Sequence, residues 1–102
     1  MIEDNRKIFR EVDKILSENK KGVLATVVSV DGPAPGKPGF KLLITETGKT
    51  YGTVGGGCVE EGCKAISKKV LEDGKSRTLK LNLDSGQSQC GGSIKVFMER
   101  IN

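Results

Sequence analysis

Between residues 31 and 39 the chain reads Asp-Gly-Pro-Ala-Pro-Gly-Lys-Pro-Gly, three prolines and three glycines in nine positions. Neither a helix nor a strand ladder survives there, because proline fixes φ and has no N–H to donate, and glycine gives the backbone no preference. The segment is a stiff loop that forces separate elements on either side. Two further breaks lie downstream at Gly55-Gly56-Gly57 and Gly91-Gly92. Glycine is 14 of 102 residues with no G-X-Y period, about twice the usual share. The excess therefore sits at particular turns, and those turns are where function is sought.

Hydrophobic periodicity fills the gaps between them. Ile8, Phe9, Val12, Ile15 and Leu16 form one helical face, with Gly22 after Lys20 and Lys21 expected as its stop. Val23 to Val30 is β-branched and apolar, the pattern of a central strand buried on both sides. Phe40–Thr45 and Lys49–Val54 are expected to pair as a hairpin through Glu46-Thr47-Gly48. Val59, Cys63, Ile66 and Val70 place a second helix over about Cys58–Asp73, ended by Gly74. Leu79, Leu81 and Leu83 alternate with polar neighbours, as do Ile94, Val96 and Met98, and a loop from Asp84 to Gly92 joins them. The expectation is an α+β domain of order α-β-β-β-α-β-β, with about five strands in a mixed, largely antiparallel sheet and two helices.

Composition excludes several chemistries. There is no His, which removes Ser-His-Asp and Cys-His catalysis and every His–metal site. The chain has no Trp and four other aromatic residues, thin for stacking on single-stranded nucleic acid. A net charge of +4 permits an anionic partner, but the lysines scattered on helix faces read as solvated surface, not a nucleic-acid patch. The N-terminus is charged from residue 3 with no signal-peptide core, and no apolar run approaches the roughly 20 residues of a membrane span. Three cysteines without an export signal indicate a reducing compartment, the cytoplasm, and thiols outside disulfides.

Two motifs mislead. Gly48-Lys49-Thr50 resembles the end of a phosphate loop, but Leu43 stands where its first glycine belongs, and a strand follows instead of a helix. Gly55-x-Gly57-x-x-Glu60 is half a dinucleotide fingerprint, with Glu60 in place of the third glycine.

The triple glycine has its own logic. A strand ends, three residues without Cβ follow and a helix begins, so backbone N–H groups and the positive helix end form an anion cradle. Cys58 opens that helix, where the dipole favours a thiolate, although Glu60 and Glu61 oppose it. Cys63 falls in the Val59/Ile66/Val70 stripe and is expected as a buried hydrophobe. Cys90, between Gln89 and two glycines, is expected to be accessible. A zinc site needs about four ligands, more than these thiols supply. Two accessible thiols suit sulfur handling or a soft metal already carried by a cofactor.

These loops, in this order, resemble the N-terminal domain of the XdhC/CoxI family, accessory proteins of molybdenum hydroxylases such as xanthine dehydrogenase. Leu24 to Val30 with Gly32, Pro35 and Gly39 is similar to the family's opening strand and Gly-Ser-x-Pro-Arg-x-x-Gly loop. Gly52-Thr-Val-Gly-Gly-Gly-Cys-Val-Glu60 resembles its G-G-G-C-[LV]-E signature, and Cys90-Gly91-Gly92 with Val96 to Glu99 its closing C-G-G…E segment. Pro33 replaces the loop Ser, and Gly36 stands where the family usually has Arg, leaving Lys37 as a point charge. The resemblance implies transient binding of molybdenum cofactor (molybdopterin), help with its sulfuration and delivery to the apo-hydroxylase, as a chaperone without independent turnover. It implies Gly55, Gly56, Gly57, Cys58, Glu60, Cys90, Gly91, Gly92 and Lys37 as the cofactor-binding set, with Cys58 and Cys90 as the reactive pair.

The alternatives are a persulfide carrier or sulfurtransferase, or a non-catalytic scaffold for a separate Rossmann-like subunit. Many family members carry a Rossmann-like domain after this one. This chain is expected to be the single domain 1–102, ending without it, and to work as a homo-oligomer or with a partner. The expected partners are the hydroxylase, a cysteine desulfurase and a Rossmann-like subunit, with no nucleic acid and no membrane.

Overall fold

The computed structural model describes residues 3–34, 36–82 and 92–102. Its elements are α1 (Glu3–Ser17), β1 (Gly22–Asp31), β2 (Lys41–Thr45), β3 (Thr50–Gly52), α2 (Gly57–Asp73), β4 (Arg77–Asn82) and β5 (Ser93–Ile101). The expected order is borne out. All five strands join one antiparallel sheet, in the order β3-β2-β1-β5-β4. Leu83 and the 84–91 loop lie outside the described residues.

Strand alternation sorts the side chains between two faces. Val23, Ala25 and Val27 of β1, Leu42 and Ile44 of β2, and Ile94, Val96 and Met98 of β5 are buried on one face. Val59, Cys63 and Val70 of α2 close over them. Leu43 points to the opposite face and meets Ile8 and Ile15 of α1. Each helix thus covers its own face of the sheet. Gly62 lets α2 approach β4, since a Cβ there would meet Leu79 Cδ2 at 3.1 Å.

Three local expectations are corrected. Gly22 does not end α1. Asn19 takes the left-handed conformation at φ 55, and Asn19 N–H donates to Leu16 O at 3.1 Å while Lys20 N–H donates to Ile15 O at 2.9 Å. That is a Schellman closure with asparagine, the residue besides glycine that tolerates this region. Gly22 instead opens β1, where Ile15 Cδ1 would lie 3.2 Å from a Cβ. β1 is central, but it is not buried on both sides throughout. The register shifts between Val27 and Ser29, and Val28 is 50% exposed, because α1 reaches only the first part of the strand. Phe9 and Leu16, placed on α1's apolar face by spacing, are likewise half exposed.

α2 ends where expected. Gly74 adopts φ 73 and its N–H donates to Val70 O. No basic residue occupies the last turn; Arg100 of β5 supplies the charge instead, donating to Leu71 O at 3.0 Å.

Candidate functional site

Antiparallel pairing fixes where the glycine loops emerge. Asp31 pairs with Ser93, Asn82 with Ser93, Thr26 with Lys41 and Leu42 with Gly52. The end of β1, the ends of β3 and β4 and the starts of β2 and β5 therefore share one end of the sheet. The proline–glycine loop, the triple glycine and the segment before Gly92 all attach there.

The loops also touch. A Cβ on Gly36 would strike Val54 O and come within 3.1 Å of Ile94 Cδ1. One on Gly92 would strike Pro33 O and lie 2.7 Å from Asp31 O, and one on Gly32 would lie 3.5 Å from Gly92 Cα. Gly36 thus joins the first loop to the second, and Gly92 joins the third to the first. An arginine side chain does not fit at position 36 on this backbone, so the glycine that interrupts the family motif is required by contact. Lys37 beside it is exposed.

The triple glycine is held by Glu60. Its Oε2 accepts from the Thr53 hydroxyl, from Val54 N–H at 3.3 Å and from Gly56 N–H at 3.0 Å. Thr53 Oγ1 in turn accepts from Gly55 N–H at 3.0 Å. Glu60 and Thr53 thus take two backbone donors of the expected anion cradle, Gly56 N–H and Gly55 N–H, for the chain itself. Gly55 and Gly56 sit at φ 122 and 102, a region side chains disfavour. Gly57 is different. Its φ is not positive, and a Cβ on it would meet nothing within 4 Å. The fold does not demand a glycine there, so the open side of the turn lies at Gly57.

The thiols separate as expected where they are described. Cys58 is exposed in the first turn of α2, and Cys63 is fully buried. Burial, then the Glu60 charge, pushes the Cys63 thiol up to about 11. Cys90 and Gly91 lie outside the described residues. Among the described residues no group of three His, Cys, Asp or Glu side chains could hold a metal ion, and no helix is long and apolar enough to cross a membrane. A groove of about 480 Å³ between the β2–β3 turn and the flank of α2, lined by Thr45, Thr47, Lys64, Lys68 and Leu71 among others, contains none of the expected site residues.

Sequence reasoning missed Thr53 and the clasping role of Glu60. The signal was present: Glu60 stands four residues after Gly56, one step beyond a capping-box spacing. Gly36 and Gly92 as points of loop contact carried no such signal, because close approach between distant segments has no local pattern.

Residues 15–82 match the profile of the XdhC and CoxI family. The chain is 28% identical over 105 residues to the molybdenum cofactor insertion chaperone PaoD of Escherichia coli (strain K12), covering 99% of this chain and 33% of that protein. It is 34% identical over 100 residues to a probable xanthine dehydrogenase subunit of Bacillus subtilis (strain 168), covering 88% and 29%. The crystal structure of a xanthine dehydrogenase from Bacillus halodurans superimposes with a TM-score of 0.80 at 29% identity, over 91% of this chain and 30% of that one. The chain spans about a third of the length of these relatives.

Proposed function

The chain belongs to the XdhC and CoxI family, and from that premise we propose that it is an accessory protein that binds molybdenum cofactor, assists its sulfuration and hands it to a molybdenum hydroxylase such as xanthine dehydrogenase. One observation carries the reading beyond kinship. The glycine loops meet at one end of the sheet, and at that end a glycine the fold does not need lies beside an exposed thiol.

The residues fit the group in kind. When bound, molybdenum cofactor brings a phosphate and a dithiolene-held soft metal. Gly57 leaves room for backbone approach at a helix start suited to an anion, and Cys58 is the soft donor beside it. Cys90, Gly91, Gly92 and Lys37 complete the proposed set. Glu60 serves differently: it fixes the Val54–Gly56 turn from inside, so that Gly57 and Cys58 are presented in one arrangement. A compact domain with few aromatics gives a pterin little apolar wall, and ligand pockets favour interfaces. The competent form is therefore an oligomer or a complex with a separate protein, acting in the cytoplasm.

The test is delivery. Cofactor released anaerobically is mixed with apo-hydroxylase, with and without the chain, and recovered hydroxylase activity is followed. Faster recovery with the chain, lost in Cys58→Ser and in Gly57→Leu, supports the reading. Recovery that the chain does not change refutes it.

The exposed Cys58 also favours a second reading, a persulfide carrier. Its thiolate would attack the terminal sulfur of a desulfurase persulfide, gaining that sulfur and releasing the desulfurase thiolate. A gain of about 32 Da on Cys58 or Cys90, one sulfur atom, after incubation with a cysteine desulfurase and cysteine supports it; unmodified cysteines dismiss it.

A further inference from the structure

The two faces of the sheet are covered unequally. On one, α2 lies across β1, β5 and β4; on the other, α1 lies on β2 and β3 and reaches Leu24 of β1 and Ile101 of β5. Among the described residues nothing covers the remainder of that second face. By alternation against buried Ile94 and Val96 and core-facing Leu79 and Leu81, it carries Thr26, Phe97 and Thr78 in one cross-strand row. Ser29, Lys95 and Lys80 form the next row.

Lys80 and Lys95 stand directly opposite each other, and both are exposed. Like charges in that relation oppose folding. Neither has an ion-pair partner among the described residues. Two acidic groups share this face: Asp31, opposite Ser93 and diagonal to Lys95 at roughly 7–8 Å, and Glu99, four residues from Lys95 and roughly 13 Å along the strand. Neither lies in the row of Lys80 and Lys95, and neither forms an ion pair with them among the described residues.

α1 walls this open area. Lys7 lies over the Tyr51 ring of β3 at 5.9 Å, which turns that flank of α1 toward the β3 edge. On the helical wheel Phe9 and Leu16 occupy the other flank, toward β1 and β5. They are 51% and 48% exposed. Ile8 abuts Gly52, beside Lys41, and Lys41 pairs with Thr26. Phe9 therefore stands level with the row that holds Phe97. The result is a notch with an apolar wall, a half-buried phenylalanine in its floor and two lysines on its far rim.

We propose that this notch seats an amphipathic helix of a partner protein, its apolar stripe against Phe9, Leu16 and Phe97 and its acidic flank against Lys80 and Lys95. The uncovered strip is three strands wide, about 10 Å, which is the width of one helix. It mirrors the position of α2 on the opposite face. Two phenylalanines, one in the wall and one in the floor, are thin for a stacking platform on nucleic acid. The inference rests on the uncovered face alone and is independent of cofactor binding.

Two synthetic helical peptides test it. Both are about 18 residues, five turns, with one leucine stripe; one is flanked by Glu and the other by Lys. Each is titrated into the ¹⁵N-labelled chain. The Glu peptide is expected to shift the amides of Phe9, Leu16, Lys80, Lys95 and Phe97 and to bind about tenfold tighter than the Lys peptide, with the margin closing near 0.5 M salt. In the Lys80→Glu, Lys95→Glu variant, which replaces two exposed side chains, the order of the peptides reverses. Equal affinity for both peptides, shifts confined to other surfaces, displacement of the Glu peptide by single-stranded RNA, or a homodimer in sedimentation that shields these amides would each overturn the proposal.

Discussion

One oxygen of Glu60 receives the Thr53 hydroxyl and the amides of Val54 and Gly56. Removing it leaves partly buried donors without an acceptor, which costs roughly 1–3 kcal/mol. Glu60→Ala is expected to lose about that much in urea unfolding, whereas Glu60→Gln, which keeps a carbonyl oxygen, recovers most of it. Equal losses in the two variants would show that the clasp does not hold the turn. Cys63 makes a second residue-scale prediction. Its thiol is raised from an ordinary 9.0 to about 11, so the folded chain keeps a proton that the unfolded chain releases. Stability from this group is intact below pH 9 and is lost as pH rises toward 11. Wild type is expected to weaken more steeply across that interval than Cys63→Ala, measured by urea midpoints. Iodoacetamide at pH 7 should modify Cys58 and spare Cys63 until the chain unfolds.

Glycines that look alike in sequence separate at the scale of turns and elements. Gly52 has φ 88, and a Cβ there would strike Lys41 O and lie 2.6 Å from Ile8 Cδ1. Gly48 has φ 92 with nothing within 4 Å. The left-handed conformation alone costs about 1–2 kcal/mol. Gly48→Ala is expected to show that loss, and Gly52→Ala a larger one, because β3 and α1 must part to admit the methyl group. Gly57→Ala, with neither constraint, should leave unfolding unchanged or improve it by about 0.5 kcal/mol. These ranks are read from three urea curves, and Gly57→Ala matching Gly52→Ala would contradict them.

The elements themselves were legible in sequence because apolar spacing and glycine breaks are local. Val59, Cys63 and Val70 named the buried stripe of α2, and Gly74 named its end. The end of α1 is not legible in the same way, because Asn19, not Gly22, takes the left-handed conformation that closes it. The open half of the sheet was hidden as well, since apolar spacing marks Phe9 and Leu16 as buried whether or not a strand lies beneath them.

At the scale of the whole molecule, the antiparallel order β3-β2-β1-β5-β4 brings separate glycine loops to one end. Their sequence showed that each was special; only the fold shows Gly36 against Val54 and Gly92 against Pro33. The proposed function places molybdenum cofactor at that end of the molecule, against Gly57 and Cys58. The most direct measurement is anaerobic gel filtration of the chain with released cofactor, alone and with its co-purified partner, assaying molybdenum and pterin in the protein peak. Both are expected to co-elute with wild type, more strongly when the partner is present. Gly57→Leu, shown by circular dichroism to be folded, should retain neither. Equal retention by wild type and folded Gly57→Leu, or retention by neither with or without the partner, would contradict it.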